Sequence, residues 1–298
     1  MTNATLIERL LRDALAHHNA GRLAEAEAGY QAMLRHDPDH PDALHLLGVL
    51  AQIRGEHRKA AGLIRRALVL LPNFADAHMN LGNALAALGE MQAARAAYER
   101  SLALRADFFL AHQNFADLLN RTGEHPQAEA HARQAIRLAP PGGAERAWFL
   151  LWQSLRAQRR PHEAVAAMQQ SIAQRPGTPA MLCDLATTLA EAGDTDTALA
   201  LHRQAVAMEP GNALLHMGLA ASLNLAGNIA AAEPVLRRVV ELQPDFIHGW
   251  LTLGWTLRGL GRFEEARSAF NRVLAIDPHQ PEAHWNLSLL GRAHQADP

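Results

Sequence analysis

Histidine dominates the residues able to do chemistry. The chain carries 17 of them against one cysteine, Cys183. Imidazoles bind transition metals and exchange protons near neutral pH, so their spacing is read first. His78, His112, His216 and His284 are separated by multiples of 34 residues or by 34 with small offsets of the same frame. That spacing belongs to a repeat, not to a metal, whose ligands must converge on one point. Each is expected to pack at its own helix interface. The loop HDPDHPD, His36 to Asp42, adds three aspartates and two histidines. Its D-x-D pair, Asp37 and Asp39, is of a kind that holds a divalent ion in some transferases. One short loop supplies few convergent oxygens for a hard cation, and Asp-Pro recurs at Asp277-Pro278 as a helix stop. The single cysteine excludes an intrachain disulfide and a cysteine zinc cluster. Lys59 is the only lysine, and it does not stand in a phosphate-binding glycine loop. Neither G-x-S-x-G nor H-E-x-x-H occurs. No catalytic residue, metal or cofactor is expected.

The formal net charge is −2 over 298 residues, with 19% charged and 49% apolar. That balance disfavours nucleic acid and polyanionic membranes as partners. The start, MTNATLIERLLRDAL, has charges every few residues and does not read as a secretory signal. No apolar run approaches the ~18 residues of a membrane span. These features predict a cytoplasmic protein without membrane insertion.

The elements that must position these residues follow from a period of 34. Frames begin at Ile7, Pro41, Ala75, Phe109, Glu145, Pro179, Ala213 and Ile247. The repeats are 7–40, 41–74, 75–108, 109–142, 145–178, 179–212, 213–246 and 247–280, with a half-repeat at 281–298. Two extra residues fall in APPGGAE, between Ala139 and Glu145. Position 20 is alanine in all eight copies, where a small side chain permits close helix crossing. Position 8, expected to face it, is Gly or Ala in seven. Position 15 is glycine in seven, for the left-handed turn that ends a helix. Position 32 is proline in seven, because proline cannot continue a helix. Apolar residues between these marks fall at helical spacing, as Leu81, Leu85 and Leu88 do. The reading is all-α: antiparallel helix pairs, about sixteen helices and a final one. The fifth copy departs most, with Trp152 at position 8 and Arg159 at position 15; the repeat is expected to be more loosely packed, its indole filling the space, or else to form a hinge or a partner-contact bulge.

The pattern resembles the tetratricopeptide repeat, most clearly in Trp250, Leu253, Gly254, Gly261, Ala266, Phe270 and Pro278 of the eighth copy. The resemblance implies a single right-handed superhelical solenoid of eight repeats over 1–298, capped by 281–298. It implies that first helices line a concave groove holding a peptide or protein segment. Groove positions then include Asn80, Asn83, Gln113, Asn114, Asp117, Asn120, Arg121, Arg146, Gln153, Trp255, Arg258, Trp285 and Asn286. Asn80 and Asn114 share position 6 of adjacent repeats and would form a two-rung amide ladder for a peptide backbone. AHMNLGNALAALG resembles repeats of O-linked N-acetylglucosamine transferase, which uses such a ladder. Asn83, Asn114 and Arg146 match three of five positions of the family's carboxylate clamp; Met79 and Leu150 replace the two basic ones. Trp255 and Trp285 are either interface anchors or packed against a neighbouring repeat. A binding scaffold is thus expected. The alternative is the substrate-reading arm of a glycosyltransferase or sulfotransferase whose catalytic domain is elsewhere, as in bacterial proteins of this kind. Self-association through terminal repeats is a further option.

Overall fold

Each copy of the repeat holds two helix-forming runs, and glycine and proline decide where they stop. In the computed structural model, which describes residues 3–175 and 177–295, the runs become seventeen α-helices. No strand occurs among the described residues. Pro176 and the last three positions of the 281–298 half-repeat lie outside the described residues.

Residues divide by contact into two compact units, Met1–Gln158 and Arg159–Pro298. The first contains α1 (Asn3–Asn19), α2 (Leu23–His36), α3 (Pro41–Ile53), α4 (His57–Leu70), α5 (Ala75–Ala87), α6 (Met91–Leu104), α7 (Phe109–Arg121), α8 (His125–Leu138) and α9 (Glu145–Ala157). The second contains α10 (Pro161–Gln174), α11 (Pro179–Glu191), α12 (Thr195–Met208), α13 (Ala213–Leu225), α14 (Ile229–Leu242), α15 (Ile247–Gly259), α16 (Phe263–Ile276) and α17 (Pro281–Gln295). Within each unit helices pack on their neighbours in chain order. This is the solenoid arrangement, in which a repeat buries its apolar face against the next.

From α3 onward the first helix of each repeat starts at the expected frame position. Pro41, Pro179 and Pro281 occupy first turns, where the missing N–H costs nothing. The seven glycines at position 15 have φ from 73° to 95°. There the next residue's N–H reaches back five residues, as from Glu90 to the Leu85 carbonyl at 2.9 Å, and so satisfies a helix-end acceptor. In the fifth repeat Arg159 adopts φ 57° at the same position, so the turn keeps its shape without glycine.

The alanines of position 20 are fully buried, from Ala26 to Ala266. The small residue at position 8, however, chiefly makes room for position 24. A Cβ on Gly82 would stand 2.6 Å from the Tyr98 ring, and one on Gly254 would stand 2.5 Å from Phe270. On Gly48 it would meet Ile64 at 2.6 Å and the Ala60 carbonyl at 3.2 Å. Buried large side chains and small partners thus alternate through the close-packed core. Trp152, in place of that small residue, is buried beside Phe149, with ring centroids 5.0 Å apart.

The position-4 rings join one repeat to the next. His78 Nε2 donates to the Pro72 carbonyl at 2.9 Å, His216 to Pro210 at 3.0 Å and His284 to Pro278 at 2.9 Å. Trp250 Nε1 donates to Pro244 at 2.8 Å. His112 bonds the Ala106 carbonyl at 3.0 Å. A carbonyl only accepts, which fixes the proton on Nε2 in each imidazole. These histidines therefore hold the ends of second helices. Among the described residues no three or more His, Cys, Asp or Glu side chains gather around a point.

Candidate functional site: an amide cluster on the first helices

The 34-residue frame brings α5 and α7 side by side, and with them Asn80, Asn83 and Asn114. Asn83 and Asn114 each direct an Nδ2 to the sulfur of Met79, both at 3.3 Å. Two amides of adjacent repeats thus converge on one thioether, a weak acceptor. Asn83 is held from below: buried Tyr98 donates its hydroxyl to Asn83 Oδ1 at 2.7 Å. Burial pushes the Tyr98 phenol far above its ordinary range, so it remains a donor.

Asn80 has other partners. Its Nδ2 donates to His45 Nε2 at 2.8 Å, and its backbone carbonyl accepts from the Gln52 side chain at 2.8 Å. Burial holds the His45 imidazole below its usual range, which keeps the accepting lone pair available. Phe74 packs edge-on to that ring at 4.7 Å. The amides sharing one atom are therefore Asn83 and Asn114, with Asn80 bracing them through a 3.4 Å contact to Asn83.

The charged candidates flank this cluster within the same unit. Arg146 lies 3.8 Å from Asp117, with half of its side chain exposed. Arg121 is exposed and Gln153 half-buried. Gln113, at 8% exposure, offers little surface to a ligand. Asn120 ties α7 to α9: it donates to the Leu150 carbonyl at 3.0 Å and accepts from Ser154 at 2.8 Å. In the second unit Trp255 is 37% exposed and Trp285 is 63% exposed. Asn286 is buried and accepts from Arg258 at 2.7 Å. Both indoles thus reach solvent, while that Asn–Arg pair is spent between α15 and α17.

Sequence reading missed His45, Tyr98 and Gln52 as supports and Met79 as the shared acceptor. It also missed a depression of about 520 Å³ between α6 and α8, lined by Arg95, Phe115 and His131 among others. Arg95 is held there by Glu99 at 2.9 Å and Glu124 at 2.5 Å. His131 stands against His112, with Nδ1 atoms 2.9 Å apart. Burial, then the neighbouring His112 and Arg95, lower the His131 pKa to about 4.

The geometry agrees with the comparisons with known proteins. One tetratricopeptide repeat family model matches residues 11–73, 53–107 and 114–179. Two others of the same description match 189–253 and 247–280. The chain belongs to the tetratricopeptide repeat family, a fold of protein-interaction scaffolds. No match was found among curated proteins. Among solved structures, a chain of the APC/C hetero-tetramer Cut9-Hcn1 is similar at TM-score 0.60 and 19% identity, covering 90% of this chain and 52% of that one. This chain therefore spans about half of that relative's length. The MamA RS-1 ArsTM double mutant is similar at TM-score 0.53 and 20% identity, covering 57% of this chain and 94% of that one. YrrB, described as a TPR protein with an unusual peptide-binding site, is similar at TM-score 0.51 and 18% identity, covering 62% and 95%. Such identities show a shared fold. These matches carry no specific likeness to O-linked N-acetylglucosamine transferase. No helix among the described residues is long and apolar enough to cross a membrane.

Proposed function

We propose that the chain is a non-catalytic scaffold that holds an extended segment of a partner protein against the first-helix face of its first unit. The observation that carries this reading is the convergence of Asn83 and Asn114 on Met79 Sδ, 3.3 Å from each. Thioether sulfur accepts weakly, so a peptide carbonyl can replace it at little cost and with better bonds. Amides offer both donor and acceptor, which suits main chain rather than a charged terminus. A C-terminal carboxylate is served poorly: Met79 and Leu150 stand where the clamp needs basic residues, and Arg146 faces Asp117. YrrB, alike in fold, is described as having a peptide-binding site, which is consistent with this reading.

Two lost amide bonds at about 1 kcal/mol each correspond to roughly a 30-fold weaker complex. The test is affinity capture from lysate with wild-type bait and an Asn80→Ala, Asn83→Ala, Asn114→Ala bait of equal helicity by circular dichroism. Partners enriched by the wild type should be lost from the variant, and their minimal segment should bind with that difference in Kd. Equal capture by both baits sinks the proposal and moves attention to Trp255 and Trp285.

A further inference from the structure

The depression between α6 and α8 is separate from the amide cluster, and it holds a polar ring that the repeat frame does not call for. His131 occupies position 23 of the fourth repeat, a position that is glycine, alanine, leucine or valine in the other seven. Two bonds fix its tautomer. His112 Nε2 donates to the Ala106 carbonyl at 3.0 Å, so His112 Nδ1 carries no proton. The 2.9 Å contact between the two Nδ1 atoms therefore takes its proton from His131. That leaves His131 Nε2, on the far edge of the ring, as a bare acceptor. No hydrogen bond among the described residues uses it. Burial, then His112 and Arg95, keep the ring uncharged near neutral pH.

The surroundings select what can satisfy that lone pair. The floor is apolar. Buried Phe115 lies against the imidazole, with centroids 4.5 Å apart, and half-buried Leu102 lines the same space. Ala103 on α6 and Ala130 on α8 are exposed, and their small side chains leave the depression open to solvent. Charge at the rim is already matched, since Arg95 is held by Glu99 at 2.9 Å and Glu124 at 2.5 Å. An anion would have to break those pairs, and a cation would face the guanidinium. A neutral, flat, apolar group with one donor meets every wall. Indole is such a group: its N–H donates only, and Nε2 here accepts only. A tyrosine hydroxyl would also bring lone pairs to the apolar floor. The volume of about 520 Å³ is within the range of ligand pockets. An open depression, however, suits an anchor side chain held by the rest of an interface better than a free molecule.

We propose that this depression docks a tryptophan side chain of a partner protein, its indole N–H donated to His131 Nε2 and its ring laid on Leu102 and Phe115 between Ala103 and Ala130. The smaller depression between α14 and α16 in the second unit has Ala269 at position 23, in place of the imidazole.

The test is fluorine NMR of fluoroindole with the full chain, against fluorobenzofuran, which has the same shape and no N–H. Fluoroindole should bind with millimolar affinity. Fluorobenzofuran should bind about fivefold more weakly, the worth of one neutral hydrogen bond. His131→Phe keeps a ring and removes the acceptor, so the two probes should bind that variant equally. Ala130→Leu, at an exposed helix position, fills the depression without entering the core and should abolish binding of both. N-acetyl-tryptophanamide should displace fluoroindole, and the tyrosine and phenylalanine amides should do so less well. Equal binding of the two probes to the wild type, which needs no variant to fold, would overturn the proposal. So would no binding at millimolar concentration, or binding that Ala130→Leu leaves unchanged. Displacement by free indole but not by N-acetyl-tryptophanamide would overturn it in favour of a small-molecule site.

Discussion

Replacing Arg159 by glycine should stabilise the chain, although most single changes do the opposite. Arg159 holds φ 57° in the left-handed region, which costs an L-residue about 1–2 kcal/mol. Glycine removes that strain but gives the unfolded chain more freedom, an offset of about 0.4–1 kcal/mol. Little else changes, since the arginine side chain is exposed. The net gain is about 0.5–1 kcal/mol, or roughly 1–2 °C in Tm for a chain of this size. Urea titration followed at 222 nm would read it, with Arg159→Ala as the control. Alanine keeps the strained backbone and should show none of the gain. The mirror experiment is Gly89→Ala, where φ is 80° and nothing lies within 4 Å of the added methyl; backbone strain alone should cost about 1 kcal/mol. If Arg159→Gly is no more stable than Arg159→Ala, the left-handed turn is not strained and the reasoning fails.

Gly82→Ala should destabilise by about 1–3 kcal/mol through overpacking, because its Cβ would stand 2.6 Å from the Tyr98 ring; Tyr98→Leu in the same chain should recover part of the loss in urea midpoint. Stability should also fall with acid. His131 and His202 both have pKa values lowered to about 4 by burial, against about 6.5 in the unfolded chain. Between those values the unfolded chain binds more protons, so stability is fully present above about pH 6.5 and is lost as pH falls toward 4. Each ring contributes up to about 3 kcal/mol. Denaturation series at pH 7.5 and 4.5 should show the decline, and His131→Phe should reduce its slope; an unchanged slope would mean His131 is not held neutral.

The repeat frame carried the fold because each mark in it has one physical cause. Glycine at position 15 means a left-handed turn, and seven such glycines have it. Alanine at position 20 means a close crossing, and all eight are buried. The two-residue insertion near Gly142 was equally visible. The frame said less about which amides stay available. Asn80 and Asn114 share a repeat position, yet only Asn80 has His45 beside it. That difference lies in residue 45 and its rotamer, not in the asparagines. Position 8 does face position 20, as Gly48 faces Ala60, but its second neighbour, position 24, was hidden because it varies among Tyr98, Ile64 and Phe270. A period shows what recurs and hides what compensates. At the division between Gln158 and Arg159 the frame keeps its spacing but loses its position-15 glycine to Arg159.

The ring-to-carbonyl bonds between repeats are a standard coupling. Where position 4 holds one of these rings, the repeat brings a donor at its front end to an acceptor at the rear of the one before: His78, His112, His216, His284 and Trp250 all use the same carbonyl position. Excising residues 75–108 would leave the Pro72 carbonyl facing His112, with the coupling remade and the register kept. At junctions joined this way a whole unit can be gained or lost by recombination without redesigning the contact.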